Sequence, residues 1–278
     1  MPRSKKSNNE EVKDVSMARL IAEINKDFGS DIIGRTPDLD NVEVERISSG
    51  IKCLDEALGG GFPLRRIVEL YGLPSSGKSL ISMKTIAEAQ KNGMECVYID
   101  AEDTFDPGFA QKLGVDTDKL ILAKINIGED ILNTVSRLLT VKPGIIVVDS
   151  IGGMTTRAEF EEDADKLHMA PKARLFGKML PKITALNENT LIIFINQLRS
   201  TMALYGPQTT TPGGSSVRFM SAVRVEVKKI EPIHTDNKKT QPIIGQLIGF
   251  NTIKNKTAPP NKTGSFKFYY EDGKIEES

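Results

Sequence analysis

The sequence holds only two cysteines, Cys53 and Cys96, among 278 residues. That pair gives neither a metal-ligand spacing nor a disulfide framework, and reduced thiols in a cytosol are expected. No apolar run approaches the ~20 residues of a membrane helix. The opening Met1-Pro2-Arg3-Ser4-Lys5-Lys6 runs into polar residues rather than an apolar stretch, so it is not a secretory signal. Net charge is also missing: 37 basic residues cancel 37 acidic ones. The total therefore gives no support to nucleic-acid binding, and the distribution of charge has to decide. No internal repeat of solenoid length is present. What remains is an ordinary globular composition, 39% hydrophobic and 27% charged, long enough for one large domain with an appendage.

Residues 1–10 read as a polar, basic tail. Val12, Val15, Met17, Leu20, Ile21 and Ile24 then lie at helical spacing, with Gly29 placed to close the helix. A linker from Ser30 to Asn41 contains Gly34 and Pro37, so residues 1–41 form an arm whose helix must dock on its own core or on a neighbouring subunit. From residue 42 to 278 apolar runs alternate with helical segments, the pattern of an α/β fold with a central, mostly parallel sheet flanked by helices. Strands are expected at Ile67–Tyr71, Cys96–Asp100, Ile145–Asp149 and Leu191–Ile195, with a helix over 78–91. Their apolarity on both faces suits central strands covered on each side. Beyond them Val223–Lys228, Gly245–Lys256 and Phe266–Tyr270 follow one another without helices, which predicts antiparallel strands toward the C-terminus.

Gly72-Leu73-Pro74-Ser75-Ser76-Gly77-Lys78-Ser79 fits G-x-x-x-x-G-K-[ST] between a strand and a helix. Such a loop wraps its amide groups round a triphosphate, with the first turn of the next helix, through Leu80, adding its positive end. Lys78 would reach the β and γ phosphates and Ser79 would offer its hydroxyl to Mg²⁺, so ATP and Mg²⁺ are the implied cofactors. A chance match in a chain this long is roughly one in a hundred. Three polar residues fall at strand ends, where such a site needs them. Asp149 suits a Mg²⁺-holding carboxylate, Glu102 can activate the attacking water, and Gln197 can sense the γ-phosphate. Asp100 and Asp103 compete with Glu102 for its role. Lys254 and Lys256, two apart on a strand, project from one face and suit a phosphate or paired carboxylates.

At these residues the sequence resembles the bacterial and phage-type RecA recombinases. The resemblance runs through Ile47-Ser48-Ser49-Gly50, the P-loop, Tyr98-Ile99-Asp100-Ala101-Glu102, Phe105-Asp106-Pro107 and Val147-Val148-Asp149-Ser150. It continues through His168-Met169, Phe194-Ile195-Asn196-Gln197-Leu198-Arg199, Thr209-Thr210-Thr211-Pro212-Gly213-Gly214 and Lys254-Asn255-Lys256. It implies a RecA-like P-loop ATPase core, with Glu102 as the catalytic glutamate and Gln197 coupling the γ-phosphate to an adjacent DNA-binding loop. Asp106 would contact adenine and Phe109 would stack on it. Lys254 and Lys256 would reach the ATP of a neighbouring protomer, so that filament assembly and nucleotide state are linked, and the N-terminal helix would pack on the adjacent protomer.

By the same resemblance, DNA-binding loops are expected near 159–174, with Met169 and Arg174, and near 198–219, with Arg199, Tyr205, Gly213, Gly214, Ser215 and Arg218. Glu161, Glu162, Asp163 and Asp165 in the first loop are unfavourable beside phosphates and are expected to face away or weaken affinity. From Leu167 to Lys239 eleven basic residues stand against four acidic ones, the footprint of a phosphate-binding surface. The chain stops soon after its last core strand, which reads as a short form lacking the family's small C-terminal domain, either naturally short or truncated, with Glu276 and Glu277 all that remains of an acidic tail. The expected function is a cytoplasmic, DNA-dependent ATPase that forms filaments on single-stranded DNA and exchanges strands with a homologous duplex, with no membrane partner. A regulatory or assembly ATPase of the same fold, without strand exchange, is the alternative; a ring-forming helicase-type or clock-type ATPase fits the Lys-Asn-Lys motif less well.

Overall fold

The computed structural model describes residues 16–29, 32–35, 44–161, 171–200, 209–235 and 241–277. Its contacts divide the chain into two compact units, Met1–Val44 and Glu45–Ser278. In the first, helix α1 (Met17–Phe28) begins where the Ser16 side chain accepts the Arg19 amide at 3.4 Å. It ends at Gly29, whose left-handed backbone (φ 68) returns its N–H to the carbonyls of Asn25 and Lys26. Asn25 then clasps the following chain, accepting the amides of Ile32 and Ile33 at 3.0 Å and donating to the Ile33 carbonyl at 2.8 Å. Val12 and Val15, expected on the same stripe, lie outside the described residues.

The second unit opens with a small ladder, β1 (Arg46–Ile47) against β2 (Phe62–Pro63), around α2 (Lys52–Leu58). The chain then alternates: β3 (Ile67–Gly72), α3 (Lys78–Lys91), β4 (Cys96–Asp100), α4 (Pro107–Lys112), β5 (Ile121–Lys124), α5 (Gly128–Leu138), β6 (Ile145–Asp149), α6 (Arg157–Glu161), α7 (Pro171–Leu186) and β7 (Leu191–Gln197). A short ladder of β8 (Arg199–Ser200) and β9 (Thr209–Thr210) follows, then α8 (Gly214–Met220), β10 (Val223–His234), β11 (Ile243–Asn255), β12 (Thr263–Tyr269) and β13 (Ile275–Glu277). Nine strands form one sheet in the order β13-β12-β11-β10-β3-β7-β6-β4-β5. The six strands from β10 to β5 run parallel, and β11, β12 and β13 extend the sheet antiparallel. Alternate side chains of the central strands feed two cores. Val68, Tyr98, Val147 and Ile193 meet α2, α3 and α4 through Leu54, Ile86 and Ala110. Val97, Ile146, Val148 and Phe194 meet α5, α7 and α8 through Val135, Phe176 and Val217. No helix among the described residues is long and apolar enough to cross a membrane.

The four long strands of the expected sheet are present, whereas β5, with four residues, and β13, with three, are too short to announce themselves. β5 is the sheet's edge, with Ile121 and Leu122 exposed. Both expected DNA loops prove partly helical. Thr156 and Glu159 close a reciprocal capping box that starts α6, with Glu159 accepting the Thr156 amide at 2.9 Å and Thr156 Oγ1 accepting the Glu159 amide at 3.2 Å. Pro171, whose missing N–H costs a first turn nothing, opens α7, so Arg174 is helical rather than on a loop. Gly213 caps α8, so Gly214, Ser215 and Arg218 are helical too. Gly214 sits at φ 71, and a Cβ there would stand 2.7 Å from Ala173 Cβ, so the α7–α8 contact itself demands glycine.

Glu276 and Glu277 are not a loose acidic remnant. Both belong to β13: Glu277 accepts the amides of Lys52 and Cys53 at 2.7 Å, and Glu276 accepts the Tyr269 hydroxyl at 2.9 Å.

Candidate functional site

Sheet register brings the motif residues to one edge. Gly72 pairs with Gln197 across β3 and β7, and Asp100 with Asp149 across β4 and β6, so four strands deliver their C-terminal ends side by side. The Leu198 amide donates to the Gly72 carbonyl at 3.0 Å, tying the end of β7 to the P-loop. A Cβ at Gly72 would lie 2.1 Å from the Val227 carbonyl oxygen, which explains the first glycine of the motif. Leu73, Pro74 and Ser75 form the exposed crest, while Ser76, Lys78 and Leu80 are buried beneath it. Lys78 Nζ curls into the loop, donating to the Leu73 carbonyl at 2.8 Å. Burial pulls its pKa down, against the opposing pull of Asp149 and Glu102.

Ser79 Oγ donates to Asp149 Oδ2 at 2.6 Å, and burial raises the Asp149 pKa. A hydroxyl beside a carboxylate is a hard-oxygen donor set, one that fits Mg²⁺ rather than a softer metal. Glu102 Oε1 accepts from Gln197 Nε2 at 2.9 Å and from the Ser150 hydroxyl. Its two rivals are otherwise engaged. Asp100 is buried and accepts the amides of Glu102 at 3.2 Å and Phe105 at 2.8 Å, shaping the turn. Asp103 forms an exposed ion pair with Lys124 at 2.5 Å. Glu102 is the one of the three that is both exposed and joined to Gln197.

Beside the P-loop lies a cavity of about 270 Å³ whose far wall is Phe109, Gln246, Phe268 and Tyr270. Phe109 meets Phe268 edge-on at 6.0 Å between ring centres, and Phe268 meets Tyr270 at 5.8 Å. Such a wall suits a planar base. Sequence reasoning found Phe109 but missed the other three, which come from β11 and the end of β12; the two-residue spacing of Phe266, Phe268 and Tyr270 was the available signal. Asp106 stands next to this wall, with Oδ1 accepting the amides of Gly108 at 2.8 Å and Phe109 at 3.2 Å as the cap of α4.

Lys254 and Lys256 lie elsewhere. Lys254 pairs with Arg224, which pairs with Glu69, and the Lys256 amide donates to Ala222, whose own amide donates to Ile67. Lys256 is thus level with the start of β3, about 17 Å along the strand from Gly72 at 3.3 Å per residue. That is beyond a lysine's reach to the P-loop of its own chain. Lys256 instead lines an open cavity of about 600 Å³ with Arg65, Arg66 and Phe219. Lys254 Nζ donates to the Arg218 and Phe219 carbonyls at 2.8 and 2.9 Å, at the end of α8.

Of the residues expected to meet DNA, Arg174, Ser215 and Arg218 are exposed on α7 and α8. Arg199 is exposed at β8 and donates to the Gly152 carbonyl at 3.4 Å. Gly213 is buried at the start of α8. Met169 and Tyr205 lie outside the described residues. An unforeseen link joins this region to the nucleotide edge: Asn196, beside Gln197, donates to Glu69 at 2.8 Å and to the Pro212 carbonyl at 2.9 Å.

Comparison with known proteins places the chain in a family. The family model described as the RecA N-terminal domain matches residues 15–275. Protein RecA of Colwellia psychrerythraea is 38% identical over 268 residues, covering 94% of this chain and 76% of that protein. Protein RecA of Mannheimia haemolytica is 39% identical over 270 residues, covering 95% and 72%. The crystal structure of the RadB recombinase superposes with a TM-score of 0.62 at 20% identity, over 84% of this chain and 99% of that one, a likeness of fold. With a complete P-loop sequence and this similarity over nearly its whole length, the chain belongs to the RecA family and is a RecA-type recombinase.

Proposed function

We propose that the protein assembles head to tail on single-stranded DNA, with ATP bound between protomers, and pairs that strand with a homologous duplex in a cytoplasm. The observation carrying this reading is the placement of Lys256 level with the start of β3, at the opposite end from the P-loop, with Lys254 level with the middle of that strand and its ammonium turned to the end of α8. Cations useless to their own nucleotide become useful when one protomer's lysine end faces the next protomer's P-loop end, a heterologous contact that propagates into a filament. In this reading residues 1–41 form an arm that packs on the adjacent protomer and residues 42–278 carry the ATPase.

The P-loop amides and Lys78 bind the phosphates, Phe109 and Asp106 with Tyr270 and Phe268 hold the base, and Ser79 and Asp149 hold Mg²⁺, which would neutralise phosphate charge. Glu102 orients the attacking water and accepts its proton. Gln197 already touches Glu102 and abuts Asn196, whose amide reaches Pro212. A γ-phosphate that draws Gln197 would therefore both release Glu102 and pull on the segment leading into α8, making hydrolysis DNA-dependent. Arg174, Arg199, Ser215 and Arg218, with Gly213, Gly214, Met169 and Tyr205, make up the DNA surface. Contacts to phosphate hold the strand and leave its base edges free for pairing. The test is ATP hydrolysis with and without single-stranded DNA across a salt series. Stimulation that fades steeply with salt is expected; hydrolysis indifferent to DNA would move the reading to a regulatory ATPase.

A further inference from the structure

Tyr98 is the most buried tyrosine among the described residues, 2% exposed, on β4, the strand next to the sheet's β5 edge. Its hydroxyl is not in an apolar core. It donates to Asp149 Oδ2 at 2.6 Å, the same oxygen that accepts Ser79 Oγ at 2.6 Å. The Tyr98 ring packs tilted on Phe105, with centres 5.1 Å apart. Phe105 precedes Asp106, the cap of α4, which carries Phe109 to the base wall. One side chain thus touches the carboxylate at the phosphate end of the cavity and the segment leading to its aromatic end.

We infer that Tyr98 is a positioning residue for the reaction: its hydroxyl fixes the rotamer of Asp149 so that one carboxylate oxygen is occupied by Tyr98 and Ser79 and the other is left for the metal's water shell. This rests on the reading of Asp149 as a metal-holding carboxylate. A buried carboxylate with a single donor can turn about its terminal bond; with two donors on one oxygen, the direction of the second oxygen is set. Partners of this outer kind commonly alter metal affinity by tenfold or more when removed. The phenol oxygen is the only atom that differs from phenylalanine, and the ring's packing on Phe105 survives its loss.

The test is Mn²⁺ binding, followed by electron paramagnetic resonance of free Mn²⁺, in protein saturated with a non-hydrolysable ATP analogue. Tyr98→Phe, Asp149→Asn and wild type are compared, with analogue binding in EDTA as the control. Expected is a roughly tenfold higher Mn²⁺ requirement for Tyr98→Phe, with analogue affinity in EDTA unchanged. Wild-type Mn²⁺ affinity in Tyr98→Phe together with a weakened Asp149→Asn overturns the role of Tyr98 alone. Wild-type affinity in Asp149→Asn removes the reading on which it rests. Should Tyr98→Phe not fold, the Cζ resonance of Tyr98 in ¹³C-tyrosine-labelled wild type replaces it: a shift on adding Mg²⁺ to the analogue complex supports the inference, and an unmoved resonance overturns it.

Discussion

Arg224→Met should be among the most destabilising single changes in the core, because of what it leaves behind. Glu69 is 0% exposed, in the middle of the central strand β3. Its Oε2 accepts from Arg224 Nε at 2.5 Å and its Oε1 from Asn196 at 2.8 Å. The guanidinium lies 4.4 Å above the Tyr71 ring. Methionine fills similar volume but leaves a buried carboxylate with one neutral donor, a loss of about 3–5 kcal/mol for a broken buried pair. The contact with Tyr71 adds about 0.5–2 kcal/mol. In a domain of this size the pair loss alone lowers the melting temperature by roughly 6–20 °C. Replacing both partners, as in Glu69→Leu/Arg224→Met, should restore much of that loss, since a well-packed apolar pair often equals a buried ion pair. Urea denaturation followed by circular dichroism measures all three proteins. A single variant within 1 kcal/mol of wild type, or a double variant no better than the single one, would refute the reasoning.

Glu277→Ala should cost about 1 kcal/mol by uncovering two amides at the start of α2, read from the urea midpoint. The same carboxylate, after burial, helps raise the Cys53 thiol to about 11, so Cys53 alkylates slowly at pH 8 in the native protein. Because the charge disfavours thiolate, its removal lowers that pKa, and the alkylation profile of Glu277→Ala should shift to lower pH; an unshifted profile contradicts the contact. Gly214→Ala combines a left-handed φ with a 2.7 Å approach to Ala173, and should destabilise by about 1–3 kcal/mol and open the α7–α8 contact to amide exchange. An alanine variant as stable as wild type would show that α8 docks by another route.

What the sequence disclosed followed from how local each signal was. The P-loop is contiguous, and Asp149 and Gln197 announce themselves by ending apolar runs that can only be central strands. The base wall did not, because Gln246, Phe268 and Tyr270 stand more than a hundred residues from Phe109 and are united only by the sheet order. Glu69 reads as a stray charge in a strand until Arg224 and Asn196 arrive from neighbouring strands to satisfy it. The two DNA segments looked like loops because glycine, proline and acidic residues punctuate them. In fact Pro171 and Gly213 start helices rather than interrupt them. Pairwise spacing put Lys254 and Lys256 on one face, but only register shows that Lys256 is at the wrong end of the sheet for its own nucleotide.

That last point is tested most directly by mixing two inactive proteins. Glu102→Gln keeps the lysines and lacks the carboxylate proposed to orient water; Lys254→Ala/Lys256→Ala keeps the carboxylate and lacks the lysines. If each ATP site combines the P-loop end of one protomer with the lysine end of the next, an equal mixture on single-stranded DNA places both intact halves together at about a quarter of the interfaces. DNA-stimulated hydrolysis should then reappear at about that fraction of the wild-type rate. No recovery from the mixture, with both variants binding DNA, would mean that each protomer completes its own site, and the account of ATP shared between protomers would be wrong.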